Sequence, residues 1–178
     1  SSDNQRAYVA DLGNDKIWIF ELNQETGELK LHPQAFVSLQ NGSGPRHFTL
    51  SKNGKYSYSI NEINSSVSVF AVSKEGGLKV IQNIPSLPDD YYEKNSAADI
   101  HLHPSGKFLY VSNRGHNSIA SFKVDAKTGK LRLLEFIPTG GEVPRSFAVS
   151  GDGRFLYVAN QDSNTITVFK VDPGNGKL

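Results

Sequence analysis

The chain has 178 residues, a formal net charge of +1, 37% hydrophobic and 21% charged residues, and neither Cys nor Met. This length and composition are typical of one globular domain or two small ones. The small net charge gives no electrostatic basis for binding nucleic acid or an anionic membrane, and the absence of Cys excludes a disulfide framework, thiolate metal ligands and a Cys nucleophile.

One sequence unit occurs four times along the chain. Four tyrosines mark the copies, and each is followed twelve residues later by a phenylalanine. The tyrosines are Tyr8, Tyr58, Tyr110 and Tyr157, and the phenylalanines are Phe20, Phe70, Phe122 and Phe169. We therefore divide the chain into repeats at residues 1–42, 43–95, 96–141 and 142–178.

Each repeat predicts four short strands. The first copy starts at "RAYVAD", in what the other copies show to be the second strand, so its first strand is missing. In the second copy "PRHFTLS" is followed by an Asn-Gly turn, "KYSYSIN" and the alternating run "SSVSVFAVS". The third and fourth copies follow the same order with "KFLYVSN" and "RFLYVAN", and we predict a loop at "LPDDYYEKNSAA" between the second and third. The fourth copy stops before its last strand.

Four-stranded units of this length predict an all-β fold, a β-propeller of which about three and a half blades are present. So few blades do not close a ring, and both ends fall inside the repeat pattern. We therefore expect a piece of a longer protein, which either self-associates or pairs with the missing half of its ring.

Propeller geometry brings the chemically loaded residues to one end of the central channel. The loop before the first strand of a blade and the loop after its second strand lie on the same face, so residues from these loops meet at the channel mouth. The candidate catalytic residues are Glu62, Arg114 and His47. The candidate substrate-binding residues are Arg46, Asp99, His101, Arg145, Gln161 and Asp11.

One position of the repeat distinguishes candidate site residues from structural residues. Successive copies carry Leu12, Glu62, Arg114 and Gln161 at this position, directly after an Asn or Asp that hardly varies. Several Arg around one acid fit an anionic ligand and can stabilise a developing oxyanion. Glu62 is a candidate general base or acid, and His47 or His101 could share that work. The pattern indicates ester or lactone chemistry on a small anion, with no cofactor and no required metal.

Other polar or aromatic residues are predicted to be structural. We expect His103 to brace a turn, Asn113 and Asn160 to cap or brace turns, and Trp18 to pack between blades. His32 and His116 are predicted to be exposed loop residues.

The stretch "GSGPRHFTLSKNGKYSYSINEINSSVSVF", followed by "SAADIHLHPSGKFLYVSNR" and "VPRSFAVSGDGRFLYVANQDSNTITVF", resembles the seven-bladed β-propeller lactonase family. That family includes the bacterial-type 6-phosphogluconolactonases and is related to the fungal carboxy-cis,cis-muconate cyclase. The resemblance covers essentially the whole chain. It implies a cytoplasmic enzyme that hydrolyses 6-phosphogluconolactone to 6-phosphogluconate.

The resemblance also implies roles for particular residues. In the cyclase an Arg, a Glu sixteen residues later and an Arg one blade on contribute to the site, and these match Arg46, Glu62 and Arg114. A catalytic His of the family lies on a strand that would precede Ser1. Two alternatives stay open, namely a cycloisomerase acting on a muconate-type lactone and a propeller that serves as a non-enzymatic binding surface.

Overall fold

The computed structural model describes Ser1 and residues 3–178, which form fourteen β-strands and one short 3-10 turn at Leu12–Asn14. The strands are β1 Arg6–Asp11, β2 Lys16–Leu22, β3 Leu29–Ser38, β4 Pro45–Leu50, β5 Tyr56–Asn61, β6 Ser66–Val72, β7 Leu78–Pro85, β8 Ser96–Leu102, β9 Phe108–Arg114, β10 Ser118–Val124, β11 Leu131–Pro138, β12 Pro144–Val149, β13 Phe155–Asn160 and β14 Thr165–Lys170. Within these described residues, no helix has the length and apolar character needed to cross a membrane.

The strands form four antiparallel sheets in which neighbours in sequence are neighbours in space. The orders are β1-β2-β3, β4-β5-β6-β7, β8-β9-β10-β11 and β12-β13-β14. The two middle sheets have four strands each, and the two outer sheets have three. This confirms the predicted all-β architecture.

The hydrophobic core lies between adjacent sheets. The largest cluster joins the second and third blades through side chains such as Tyr58, Val69, Leu109 and Phe122. Similar clusters join the first blade to the second and the third to the fourth. The two middle sheets thus bury both faces against their neighbours, and each outer sheet buries one face.

The repeated tyrosines join each blade to the next. The hydroxyls of Tyr8, Tyr58 and Tyr110 donate to the carbonyls of Gly76, Gly129 and Gly176 at distances of 2.9, 3.0 and 2.9 Å. Each acceptor glycine lies in the turn that follows the third strand of the next blade. Its φ is positive, which a residue with a Cβ rarely adopts. The repeat pattern of Tyr and Gly is therefore a set of bonds between blades.

Two of the structural expectations for histidines need correction. His32 was predicted to be an exposed loop residue, but it is buried in β3 and its Nε2 is 2.9 Å from the carbonyl oxygen of Glu75 in the next blade. His116 does lie in a turn, yet it is partly buried and stacks edge-on against Tyr91. His103 is structural as predicted, since its Nε2 lies 2.9 Å from the Gly153 carbonyl oxygen.

Two sequence features lie at blade edges. The loop after β7 has no regular structure from residue 86 to residue 95, which confirms the predicted loop except for its last three residues, 96–98, where β8 begins. Trp18 packs edge-on against Phe36, on the face of the first sheet that no other described sheet covers. Its predicted position between two blades stays a prediction.

Candidate active site

The entry of each innermost strand carries a β-bulge that presents one side chain at the channel mouth. In the second blade Pro45 pairs with Asn61 and His47 pairs with Ile60, so Arg46 is the extra residue. Arg145 has the same place in the fourth blade. The residues just before these Pro-Arg pairs, Gly44 and Val143, have φ values of 63° and 56°. A bulge turns the strand locally and redirects its side chains, which explains why both Arg project at the mouth.

Glu62 joins two guanidinium groups from different blades. Its Oε2 is 2.9 Å from Nε of Arg46, and its Oε1 is 2.7 Å from a terminal nitrogen of Arg114. The side chains of Arg46, Glu62 and Arg114 are 18%, 24% and 12% exposed, so the pairs are mostly screened from water. The three residues that the sequence selected therefore meet at the mouth.

Backbone carbonyls of the third blade hold both guanidinium groups in place. Arg46 donates to the carbonyl of Ala98 at 2.7 Å, and Arg114 donates to the carbonyl of Ser96 at 3.2 Å. Burial lowers the pKa of Arg46, and the charges of Arg114 and Arg145 act in the same direction against the opposing effect of Glu62. An arginine still stays protonated under these conditions, so the site keeps its positive charge.

A second polar cluster surrounds the buried carboxylate of Asp99. Its Oδ1 is 2.7 Å from His47 Nδ1 and 3.3 Å from His101 Nε2, and its Oδ2 accepts from the Ser146 hydroxyl at 3.0 Å. Burial acts to raise the pKa of Asp99, but the hydrogen bonds from His101 and His47 outweigh it and hold this pKa well below its usual range. Asp99 is only 4% exposed, so its place differs from the predicted contact with substrate. It can hold the histidines instead.

The two clusters border an open cleft of about 420 Å³. Arg46, His47, Asp99 and His101 line it together with Tyr8 of β1. The exposed fractions of the His47 and His101 side chains, 45% and 42%, leave both imidazoles accessible to a ligand in this cleft. Among the residues that the structure describes, no group of three or more His, Cys, Asp or Glu side chains could hold a metal ion.

The remaining predicted residues lie outside these clusters. Arg145 is exposed, makes no ion pair with any described residue, and is near enough to Arg46 for its charge to act on that group. Gln161 is exposed, and its side-chain amide donates to neighbouring Asp162. Asp11 accepts hydrogen bonds from Trp18 and Asn14, so it braces its own turn and does not face the Arg46 cluster. The structure therefore gives no support for a ligand contact by Asp11 or Gln161.

The Asn residues of the repeat brace the ends of their strands, as predicted. Asn113 donates to the carbonyl of Ser86 in the preceding blade at 2.6 Å. Asn160 donates to two threonine hydroxyls, those of Thr165 and Thr167, within its own sheet. These buried amides are scaffold groups, and the charged residues that follow them are free to differ between blades.

Ser146 belongs to the site, although the repeat pattern did not predict it. Its hydroxyl is one of the donors that hold Asp99. Strand register could have identified Ser146, because Ser146 and His47 each pair with the residue that precedes the bracing Asn of their blade.

The fold is a β-propeller, and Arg, Glu and His side chains meet at one mouth of its channel. These features define a class of enzymes and binding proteins that act on small molecules. The chain belongs to the lactonase family, because residues 1–178 match the family described as "Lactonase, 7-bladed beta-propeller".

Individual relatives agree with this assignment. A 6-phosphogluconolactonase of Formosa agariphila is 43% identical over 154 residues, which cover 84% of this chain and 42% of the relative. A 6-phosphogluconolactonase of Serratia proteamaculans is 38% identical over 147 residues, covering 82% of this chain and 44% of the relative. The solved structure of a Pseudomonas aeruginosa periplasmic gluconolactonase superposes with a TM-score of 0.94 at 39% identity, covering 99% of this chain and 50% of that one. The chain thus spans about half the length of the relatives it matches.

Proposed function

We propose that the complete ring to which these blades belong hydrolyses an anionic sugar lactone, with 6-phosphogluconolactone as the substrate and 6-phosphogluconate as the product. The observation that carries the proposal is the pair of guanidinium groups held by Glu62 at the channel mouth, with Arg145 nearby and unpaired among the described residues. Three guanidinium groups face two carboxylates there, so the mouth has an excess of positive charge. Relatives described as 6-phosphogluconolactonases support the choice of substrate.

The arginines can perform two parts of this reaction. A guanidinium group forms two parallel hydrogen bonds to a phosphate, which selects the charged lactone over a neutral one. A guanidinium group beside the lactone carbonyl stabilises the oxyanion that forms when water attacks. Arg114 is fixed by the carbonyl of Ser96 and by Glu62, so little reorganisation of this group accompanies the reaction.

The test compares lactones that differ in charge. A polypeptide with the complete seven-bladed ring is assayed for proton release from 6-phosphogluconolactone and from gluconolactone, and for the disappearance of a carboxymuconate. We expect kcat/KM for the phosphorylated lactone to exceed that for the neutral lactone by about 10- to 100-fold, since a hydrogen bond to a charged group contributes about 1.5–3 kcal/mol. Arg145→Ala should reduce this preference.

Other outcomes point to the alternatives. Turnover of the carboxymuconate alone would indicate a cycloisomerase, which the Arg46, Glu62 and Arg114 arrangement could also serve. Binding of the lactones without turnover of any would indicate a binding scaffold. Either result would refute the proposed hydrolysis.

We also propose a cytoplasmic location, because a phosphorylated lactone does not cross a bilayer unaided and so stays in the compartment where it is made. Fractionation of cells that make the protein in its natural form tests this location. A periplasmic fraction would contradict it and would agree with the name of the Pseudomonas relative.

A further inference from the structure

Three successive blades place His47, Asp99 and Ser146 at one and the same register position. His47 pairs with Ile60, and Ser146 pairs with Ala159, in each case the residue before the bracing Asn. Asp99 lies beside the corresponding residue of its own blade, because its backbone N–H donates to the Ser112 hydroxyl at 3.1 Å. The innermost strands converge toward the channel axis, so side chains at this position in neighbouring blades come within hydrogen-bonding distance.

The donors around Asp99 leave no free side for a ligand. Besides His47 and His101, the Ile100 N–H donates to Oδ1 at 2.9 Å, and Ser146 and the Phe147 N–H donate to Oδ2 at 3.0 and 3.1 Å. A carboxylate that is buried and accepts this many hydrogen bonds stays ionised and fixed in orientation. Asp99 can therefore act on a reaction only through the groups that it holds.

The partners of His47 determine its tautomer. The carboxylate of Asp99 has no proton to give, so Nδ1 of His47 must carry the hydrogen of the 2.7 Å bond. On the other side Arg46 has only donors, so Nε2 of His47 must accept across 3.1 Å. In the neutral ring these partners place the hydrogen on Nδ1, which is anchored to a buried carboxylate, and the lone pair on Nε2.

Glu62 is differently placed for proton transfer. Each of its two oxygens accepts from a different guanidinium group, so it can take a proton only when one ion pair opens. His47 can take a proton on Nε2 once it loses a single hydrogen bond, the one that Arg46 donates in the open cleft. A substrate anion that draws Arg46 toward itself would free Nε2 at the moment when the lactone is bound.

We propose that His47 is the proton acceptor for the attacking water and that Asp99 is the positioning residue that fixes the imidazole tautomer with its lone pair on Nε2. This assignment rests on the lactone hydrolysis proposed above. Water loses a proton to Nε2 as its oxygen bonds to the lactone carbonyl carbon, and the carbonyl oxygen becomes an oxyanion. When the carbonyl re-forms, the ring C–O bond breaks and the departing oxygen takes the proton back from the imidazolium. The balance is one lactone and one water to one hydroxy acid.

The experiment uses the complete ring and two variants, Asp99→Asn and His47→Ala. Both should lower kcat by about 10²–10⁴ while KM for the phosphorylated lactone stays within about threefold, because the arginines that bind the anion are untouched. The double variant should be no slower than His47→Ala alone, since the two residues act as a unit. Added imidazole should restore part of the activity of His47→Ala. The matched control is Asp152→Asn, at an exposed turn between β12 and β13, which should keep wild-type kinetics.

A spectroscopic readout separates positioning from a purely structural role. The ¹⁵N shifts of His47 should show a protonated Nδ1 in the wild-type ring and a loss of this preference in Asp99→Asn. His47 is largely exposed, so His47→Ala should fold even if Asp99→Asn does not. A wild-type ring without lactonase activity would overturn the proposed function and this assignment together. An active ring whose kcat is unchanged in His47→Ala would overturn the assignment alone.

Discussion

Replacing Glu62 by Gln removes the one negative charge between Arg46 and Arg114 while keeping the size of the side chain. One of the two ion pairs, of 2.9 and 2.7 Å, is then replaced by a hydrogen bond to the amide oxygen, and the other is lost because the amide nitrogen cannot accept from a guanidinium group. Opposite charges about 4 Å apart attract by about 4 kcal/mol at an effective dielectric constant of about 20. Glu62 is 24% exposed, so water and salt screen part of this attraction, and we expect the free energy of unfolding to fall by about 2–3 kcal/mol.

The kinetic effect of Glu62→Gln distinguishes two roles for the carboxylate. If Glu62 holds the guanidinium groups for the anion, KM for the phosphorylated lactone should rise by about 10-fold or more while kcat falls by less than about 10-fold. If Glu62 is itself the general base, kcat should fall by about 10²–10⁴ with little change in KM. The second result would refute the assignment of the proton to His47.

The assay combines urea unfolding with steady-state kinetics on the complete ring. The control is Glu25→Gln, since Glu25 is exposed and has no ion pair among the described residues. Unchanged stability and unchanged KM in Glu62→Gln would refute the physical reasoning, because the two charge pairs would then contribute nothing.

Three further predictions concern stability and association. The folded pKa of Asp99 is lowered, and an unfolded aspartate titrates near about 3.9, so the stability that Asp99 contributes should be present above about pH 5 and lost as the pH falls below about 4. In urea unfolding at a series of pH values, a difference between wild type and Asp99→Asn that does not shrink in acid would contradict this. Tyr58→Phe should lower the free energy of unfolding by about 1–2 kcal/mol because the buried carbonyl of Gly129 loses its donor, whereas Tyr157→Phe, at a side chain 41% exposed, should have little effect; equal losses would argue against the bond between blades. The 19.5 kDa chain alone should self-associate through the apolar outer faces of its end sheets, and light scattering should show less association for Ile166→Lys, at a residue 70% exposed; a monomeric wild-type chain would refute this.

The sequence predicted the meeting of Arg46, Glu62 and Arg114 because a propeller repeats one loop geometry around an axis. Once the tyrosines are aligned, every residue after the bracing Asn must lie at the same mouth, whatever its type. The contacts themselves could not be predicted in this way, because they depend on bulges. Arg46 reaches Glu62 only because it is an extra residue beside the pairing of Pro45 with Asn61.

The sequence is least informative where residues of one type occur in more than one structural environment. The prediction that His32 is an exposed loop residue is wrong, because it lies next to Pro33 in β3, the edge strand of its sheet, and an edge strand tolerates Pro. The predicted substrate contact of Asp11 stays a prediction, and its carboxylate, at the position of the bracing Asn, accepts hydrogen bonds from Trp18 and Asn14. The charge of a residue does not show by itself whether its side chain contacts a ligand or stabilises a turn.

The position occupied by His47, Asp99 and Ser146 shows how a repeat can build a site that no single blade contains. The hydrogen bonds between blades require three different side chains at this position. Three carboxylates would repel one another, and three hydroxyl groups would provide no carboxylate that could orient an imidazole. Asp99 accepts from both neighbours, and it does so only because the blades on either side carry donors at the same register. Variation at one structurally equivalent position is therefore the feature to seek in other repeat proteins, since scaffold positions such as the bracing Asn gain nothing from differing.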